Sequence, residues 1–465
     1  MGTVPKTTSI GVGWLQTGLK VLLRSLPRSS PQGLEDFCYA YSGSKREMYL
    51  KACEDYRRGF LPKHANVTMF VKVERVYPSA SKIDPDPRAI QFRHPVYCAA
   101  VAQFLKPIEH NLYQACLYHR LTSNSRVVGK GLNQRQRAKL LLEKFQSLDN
   151  SVAVSLDCSR FDKHVSVEQL KCEHKLYESL CPSKQFKQLL KYQLRNKCYT
   201  RSGFRYITKG RRMSGDMNTA LGNCVIMIMM LVGYCIRYDL RFEILDDGDD
   251  AILFVQRPKL SQVVETIGQH FLEYGHEVKI ESVATSMEEV DWCQSRPIQY
   301  KPGKWKMVRN PMKVINSCLC SNKFSEHNSG IMVNAIGLCE LVLNQHVPVL
   351  QSYAAALIRN TRDVKSPNFT KCSNLYRAKL ERRDFLGRYN SKIHPINDIA
   401  RDSFHRAFGI SISSQIAFEQ LMETWKICMD WSDIINVGPN YDLNWNMRYL
   451  VEARPNDVAL DVDAK

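Results

Sequence analysis

At 465 residues the chain is longer than one ordinary domain, and length alone suggests about three units. Sixty-five Lys and Arg against 46 Asp and Glu leave a net charge of +19, which favours a polyanionic partner or an anionic membrane surface without choosing between them. Sixteen cysteines are scattered with no C-x-x-C pair, which argues against a zinc finger and against a secreted disulfide framework.

Near the N-terminus, Trp14, Leu15, Leu19, Leu22, Leu23 and Leu26 can form one face of an amphipathic helix. Lys20 and Arg24 interrupt its apolar residues, so it is not a signal peptide, and Lys6 occupies the Ser/Thr position of a myristoylation pattern. Packing across the subdomains of the protein is favoured over membrane contact, because membrane-surface helices carry a stronger basic stripe. Residues 134–147, QRQRAKLLLEKFQS, place basic and apolar positions at helical spacing after Asn133, a good N-cap. In SLDCSRFDKHVS at 155–166, Asp157 ends the apolar stretch VAVSL, which reads as a short buried strand, and Asp162 follows five residues later. Asp157 is read either as a cap of the strand and the following helix or as a ligand.

From Lys191 to Arg212 there are eight basic residues and no acidic one, interleaved with Tyr192, Tyr199, Phe204 and Tyr206. The mixture suits phosphate contacts with stacking on single-stranded bases; a solvated basic hairpin is the alternative. It runs into MSGDMNTALGNCVIMIMML at 213–231. There Ser214-Gly215 makes a hydroxyl-bearing loop, and Thr219 and Asn223, four apart, share one helix face. The longest apolar run, Cys224 to Ile236, falls short of the ~20 residues that span a bilayer and reads as a buried helix, so no transmembrane segment is expected.

Residues 244–251 read ILDDGDDA, a Gly-Asp-Asp turn between FEIL and AILFV. Asp247-Gly248 is a favourable turn pair, so a hairpin with carboxylates at its tip is expected; an ordinary acidic surface turn is the alternative. If the Asp157 strand is its neighbour, Asp157, Asp249 and Asp250 form a cluster of hard oxygen ligands suited to Mg²⁺ or Mn²⁺. Mutual repulsion would raise their pKa values unless cations neutralise them. Cys318 and Cys320 are expected as reduced thiols on a strand. Beyond them, GIMVNAIGLCELVL and SSQIAFEQLMETW carry helical spacing, and the polar tail from Pro455 is expected to fray.

The order Asp-x4-Asp, Ser-Gly-x3-Thr-x3-Asn, Gly-Asp-Asp resembles the A, B and C motifs of viral RNA-dependent RNA polymerases. SRFDKHVS and MSGDMNTALGN look most like the tombusvirus-like polymerases of positive-strand RNA viruses. The resemblance covers most of residues 38–320. YSGSKREMY at 41–49 looks like the segment where the template enters, and FVKVERV with DPDPRAIQFRHPVY at 70–97 like the basic fingertip motif. GHEVKIES at 275–282 and DWCQSRPIQ at 291–299 stand where the fourth and fifth palm motifs belong. Asp246 and Asp247 ahead of the turn depart from the pattern and are read as structural or electrostatic neighbours. Residues 321–465 carry no matching motif.

The resemblance implies an α+β right-hand fold of fingers, palm and thumb, with an antiparallel palm sheet and a mainly helical thumb. Its boundaries would be fingers and fingertips at 1–150, palm at 151–171, a fingers insertion at 172–212, palm at 213–320 and thumb at 321–465. It implies that Asp157 and Asp249 hold two Mg²⁺ ions, with Mn²⁺ as an alternative and Asp250 assisting. Asp162 and Asn223 would recognise the ribose 2′-hydroxyl, supported by Ser214 and Thr219, while Lys72 and Arg88 neutralise the triphosphate. Lys279 would protonate pyrophosphate. RNA would be met by Arg93, Gly215, Arg201, Arg205, Lys209, Arg211 and Arg212, and Ser295, in a primer-grip hairpin, would touch the nascent strand. The implied partners are template and nascent RNA and NTPs, with other viral replication proteins and host membranes as further ones. The implied location is the host cell cytoplasm, at membrane-associated replication complexes. A reverse transcriptase and a non-catalytic RNA-binding replication factor are the competing readings; NTP against dNTP incorporation and metal-dependent incorporation separate them.

Overall fold

The computed structural model describes residues 4–72, 88–319, 328–364, 367, 369, 372, 374–382 and 392–427. Cys320 and the tail from Pro455 lie outside them. Helices and strands are mixed along the chain, as the α+β class requires. The described residues divide into two compact units, one holding residues up to 72, 88–130 and 143–285, the other 131–142 and those from 286 onward.

The first unit opens with α1 (Ser9–Ser25), α2 (Ser44–Arg58), β1 (Val67–Val71), β2 (Ala89–Arg93) and α3 (Pro95–Gln114). The Thr8 hydroxyl accepts the Gly11 amide and caps α1, whose buried Leu15, Leu19 and Leu22 share one face, as the sequence spacing predicts. Helix α4 (Gln134–Gln146), whose residues up to Leu142 group with the second unit, starts after Asn133, whose side chain accepts the Gln136 amide at 2.9 Å. Next come β3 (Ser151–Cys158), α5 (Phe161–His164), α6 (Val167–Leu180), α7 (Lys184–Lys191), β4 (Arg195–Thr200) and β5 (Arg205–Lys209). The unit ends with α8 (Thr219–Arg237), β6 (Phe242–Asp246), β7 (Asp250–Gln256), α9 (Leu260–Tyr274) and β8 (Val278–Ala284).

Helix α8 is long and apolar enough, by length and composition, to cross a membrane, yet most of it is buried inside the unit. Its residues from Leu221 to Cys235 are all buried, and α1, α6 and α9 pack on it. Each fully buried Leu, Ile, Val or Met side chain there contributes about 1.5–3 kcal/mol relative to exposure, which makes α8 the centre of the main core.

Two four-stranded sheets stand on this core. One has the order β6-β7-β3-β8, antiparallel throughout, with the apolar VAVSL run of β3 in the interior as expected. The other has the order β2-β1-β4-β5, where β1 pairs antiparallel with β2 and parallel with β4.

In the second unit, β9 (Ser295–Lys301) and β10 (Lys304–Arg309) form an antiparallel hairpin followed by α10 (Pro311–Ser317) and α11 (Ser329–Leu343). Then come α12 (Leu350–Arg359), α13 (Leu375–Glu381), α14 (Asp398–Phe408) and α15 (Ile412–Thr424), so the C-terminal part is helical as its spacing predicts. Residues 286–319, placed with the palm by the resemblance, group here with the C-terminal helices. Cys318 is not on a strand: it caps α10, and its thiol lies 3.2 Å from the Tyr353 hydroxyl.

Candidate active site

Asp157, near the end of β3, lies directly opposite Asp250 on β7 and opposite Lys279 on β8. Directly opposed residues of an antiparallel pair project to the same face, so the two carboxylates share one side of the sheet with the lysine flanking Asp157. The expected hairpin joins β6 to β7, and the Asp247 amide donates to the Asp250 carbonyl at 2.9 Å. Gly248 sits at φ 106°, a conformation that side chains rarely adopt, which explains a glycine among four aspartates. Asp249 is exposed at the tip, whereas Asp157 and Asp250 are half-buried.

Burial first, then the charges of Asp249, Asp157, Asp247 and Glu281, push the Asp250 carboxyl up to about 6. The second of these causes is the mutual repulsion expected of clustered hard oxygen donors; the larger one is loss of water. Among the described residues no group of three His, Cys, Asp or Glu side chains is arranged to hold a metal ion by itself. A Mg²⁺ ion does not require such a group, since it keeps several waters and takes one or two carboxylates plus substrate phosphates. Asp157, Asp249 and Asp250 therefore fit such an ion in donor chemistry and in charge.

Asp246 points the other way. It is fully buried, and burial foremost raises its pKa well above the usual carboxylate range, with Cys224, Lys130 and the Gly248 amide opposing the shift. Asp247 is instead held by Lys130, whose Nζ donates to the Asp247 carbonyl at 2.6 Å and also to its carboxylate. Sequence reasoning missed Lys130. Nothing near it in the chain distinguishes it from a surface lysine, and its partner lies 117 residues away.

Next to the turn, α8 presents Asn223, whose Nδ2 donates to Asp162 Oδ1 at 2.9 Å. The Asp162 carboxyl is raised, by burial first and then by Asp249, while Asn223, Arg212 and Arg88 oppose the shift. Asn223, which bonds Asp162, lines one cavity together with Asp247, Gly248 and Asp249, so the pair lies next to the acidic turn. Thr219, which opens α8, uses its hydroxyl on the carbonyls of Met213 and Asp216, at 2.8 and 2.9 Å. The Ser214 hydroxyl is tied to β2 in the same way, accepting the Gln91 amide and donating to the Ala89 carbonyl, each at 3.2 Å. Gly215 donates its amide to the Gln91 carbonyl at 2.7 Å. Ser214 and Gly215 thus hold the loop before α8 against the second sheet, while Thr219 closes the loop on itself. A cavity of about 460 Å³ lies here, lined by Lys45, Lys106, Lys130, Ser214, Asn223 and Asp249 among others.

The basic residues separate into two groups. In the β4–β5 hairpin, period-two alternation places Arg195, Lys197, Arg205 and Lys209 on one exposed face, and Arg201 is exposed at its turn. Arg211 is half-buried at φ 74°. Arg93 and Arg212 do not face solvent, and the expectation that they meet RNA is corrected. The Arg93 Nε donates to Asp216 at 2.6 Å, and its other nitrogens bond the Ala65 carbonyl and Asn196, with 2% of the residue exposed. Arg212, 4% exposed, pairs with Glu173 and donates to Asn223. A buried charge is tolerated when paired and hydrogen-bonded, which is what both arginines achieve. Lys72 and Arg88 extend the β1–β2 pairing by one residue on each strand, the Lys72 amide donating to the Arg88 carbonyl at 2.8 Å. Ser295 belongs to the second unit, where it opens β9 and exchanges backbone hydrogen bonds with Trp292 at 2.9 and 3.1 Å.

Comparison with known proteins bears out the resemblance drawn from the motifs. The sequence profile of the family described as viral RNA dependent RNA polymerase matches residues 12–430. The RNA-directed RNA polymerase of Groundnut rosette virus (strain MC1) is 35% identical over 407 residues, covering 85% of this chain and 46% of that protein. The one of Tobacco necrosis virus (strain A) is 31% identical over 447 residues, covering 92% and 58%. That of Tomato bushy stunt virus (strain Cherry) is 30% identical over 437 residues, covering 92% and 51%. The chain spans about half the length of the curated relatives it matches. Because the matched stretch contains the opposed aspartates, the acidic turn and the Asp162–Asn223 pair alike, the chain belongs to the viral RNA-dependent RNA polymerase family.

Proposed function

We propose that this chain carries out template-directed RNA synthesis from NTPs in the replication of a positive-strand RNA genome, using two divalent metal ions. The observation that carries this reading is the placement of Asp157 opposite Asp250, one residue from Asp249, with the Asp162–Asn223 pair beside them. Asp157 and Asp249 would hold the two Mg²⁺ ions, for which Mn²⁺ is an alternative, and Asp250 would assist. When bound, the ions supply Lewis acidity to the attacking 3′-hydroxyl, the α-phosphate and the leaving pyrophosphate.

The remaining work falls to the side chains. Asp162 and Asn223 orient the ribose by its 2′-hydroxyl, and a deoxy analogue would leave those buried polar groups unpaired. Arg88, close enough to Asp162 to shift it, neutralises the triphosphate together with Lys72. Lys279, across the β3–β8 pair from Asp157, holds the proton given to the leaving pyrophosphate. The exposed face of β4–β5, with Arg201, Arg205 and Lys209, suits an RNA backbone. On this reading β3 and β6–β8 are the palm sheet, β1, β2, β4 and β5 belong to the fingers, and α10–α15 form the thumb of a right-hand polymerase.

Replacing Asp249 by Asn tests the proposal, since it removes one charge and changes almost no volume. Nucleotide incorporation should fall by at least ~10³-fold, the equivalent of several kcal/mol of lost charge stabilisation. RNA affinity, measured by filter binding, should stay within a few-fold. Substantial residual synthesis would sink the two-metal assignment.

A further inference from the structure

We infer that Arg212 is a positioning residue for sugar selection: with Glu173 it fixes the direction of the Asn223 amide, and so decides what Asn223 and Asp162 present to the ribose. The inference rests on the proposed ribose-reading role of that pair.

The amide group of asparagine is nearly symmetric in shape, so its neighbours decide which end is oxygen and which is nitrogen. On one side of Asn223, Arg212 Nε donates to Oδ1 at 3.0 Å, and a guanidinium cannot accept a hydrogen bond. On the other side, Asn223 Nδ2 donates to Asp162 Oδ1 at 2.9 Å. Reversing the amide would set its NH₂ against the guanidinium and its oxygen against the carboxylate, losing both bonds. Only one orientation is allowed, and Arg212 enforces it.

Arg212 is itself held rigidly. Its terminal nitrogens fork onto both oxygens of the fully buried Glu173. Glu173 also accepts from Asn218, whose Oδ1 takes the Tyr177 hydroxyl at 2.9 Å. The Arg212 backbone amide donates to the Asp162 carbonyl at 2.9 Å, so one residue ties both members of the ribose-reading pair. Room for the guanidinium comes from Gly222 on α8, where any Cβ would overlap its nitrogens. Glycine inside a helix is destabilising relative to alanine, so its presence next to Asn223 is explained by the arginine it accommodates.

Single-nucleotide incorporation by the full chain on an RNA primer–template, with the kcat/KM ratio of NTP over dNTP as readout, tests this. Asn223→Ala, Arg212→Lys, Arg212→Met combined with Glu173→Gln, and Gly222→Ala are compared. Lysine keeps the buried charge beside Glu173 but lacks the planar fork that reaches Glu173 and Asn223 together. Gly222→Ala displaces the guanidinium while removing no charge, so it keeps the test decisive where an Arg212 variant fails to fold. The ratio should fall about ten- to a hundredfold in each Arg212 variant and in Gly222→Ala, the range set by a hydrogen bond to a charged group. It should fall no further when these changes are added to Asn223→Ala. A merely structural role would lower kcat for both sugars equally and leave the ratio at the wild-type value. That result, with Asn223→Ala still lowering the ratio, overturns the inference and leaves the ribose-reading role standing. An unchanged ratio in Asn223→Ala overturns both.

Discussion

Lys130 fastens the Gly-Asp-Asp turn from outside its own hairpin, through the backbone and the carboxylate of Asp247. With 24% and 13% of their side chains exposed, the two residues are neither a free surface pair nor a sealed one. Replacing Lys130 by Met would remove the cation that sits against Asp247 and beside Asp246, and the turn would shift under the increased repulsion. Small displacements of reacting groups cost about 10²-fold in rate, so kcat should fall by that order while the KM for NTP changes little. Adding Asp247→Asn should recover part of the loss by removing one of the repelling charges; steady-state incorporation by the two variants checks both statements. Legibility at this scale follows distance along the chain. Asp249, Asp250 and Asp157 stand out because a turn pair and an apolar strand mark them locally. Lys130, Arg93 and Arg212 look like any other basic residue until the fold shows which have been taken out of water.

Elements were easier to read than residues, because a strand or helix is set by periodicity over a few positions. The β6–β7 hairpin, the interior strand β3 and the buried helix α8 all follow from short apolar runs and one Asp-Gly pair. What the runs do not reveal is how β6 tolerates a glutamate. Glu243 is 2% exposed in that strand and is satisfied by Lys144 at 2.9 Å, with Ser123 and Ser125 completing its bonds. Lys144 is itself fully buried, and burial lowers its pKa despite the adjacent Glu243. Breaking such a pair leaves an uncompensated buried charge, so Lys144→Met should destabilise the protein by about 3–5 kcal/mol. Lys144→Met with Glu243→Met should recover most of it, because a buried pair adds little over apolar residues of similar volume. Urea unfolding of the two variants decides this, and an equally unstable double variant would contradict it.

At the scale of the first unit, two buried histidines make one contribution to the response to acid, opposite in sign to that of the raised Asp246 and Asp250. His270 and His276 are both buried and both pushed down to about 3, by burial first, with Arg237 beside one and His164 beside the other as the second cause. Their unfolded pKa is about 6.5, so the folded state binds fewer protons than the unfolded one. The stability they contribute is therefore complete above pH 6.5 and is lost as pH falls towards 3. With about 1.4 kcal/mol per pH unit for each group, the two together contribute a slope of about 2.8 kcal/mol per unit below pH 6. Subtracting the unfolding free energy of the His270→Gln, His276→Gln variant from that of the wild type at pH 7.0, 6.0 and 5.0 should show it, since the opposing carboxyls Asp246 and Asp250 are common to both. By itself the sequence determined the chemistry available and the local elements that carry it: an acidic turn, an aspartate closing a strand, an amide on a helix face, and a basic hairpin. Turn preference and hydrophobic period act over a few residues and can be read directly. Only the tertiary structure decided which carboxylates oppose one another, which lysine fastens the turn and which arginines are interior. Burial and ion pairing depend on partners from distant parts of the chain, such as Arg93 with Asp216, 123 residues away, and no local pattern records them.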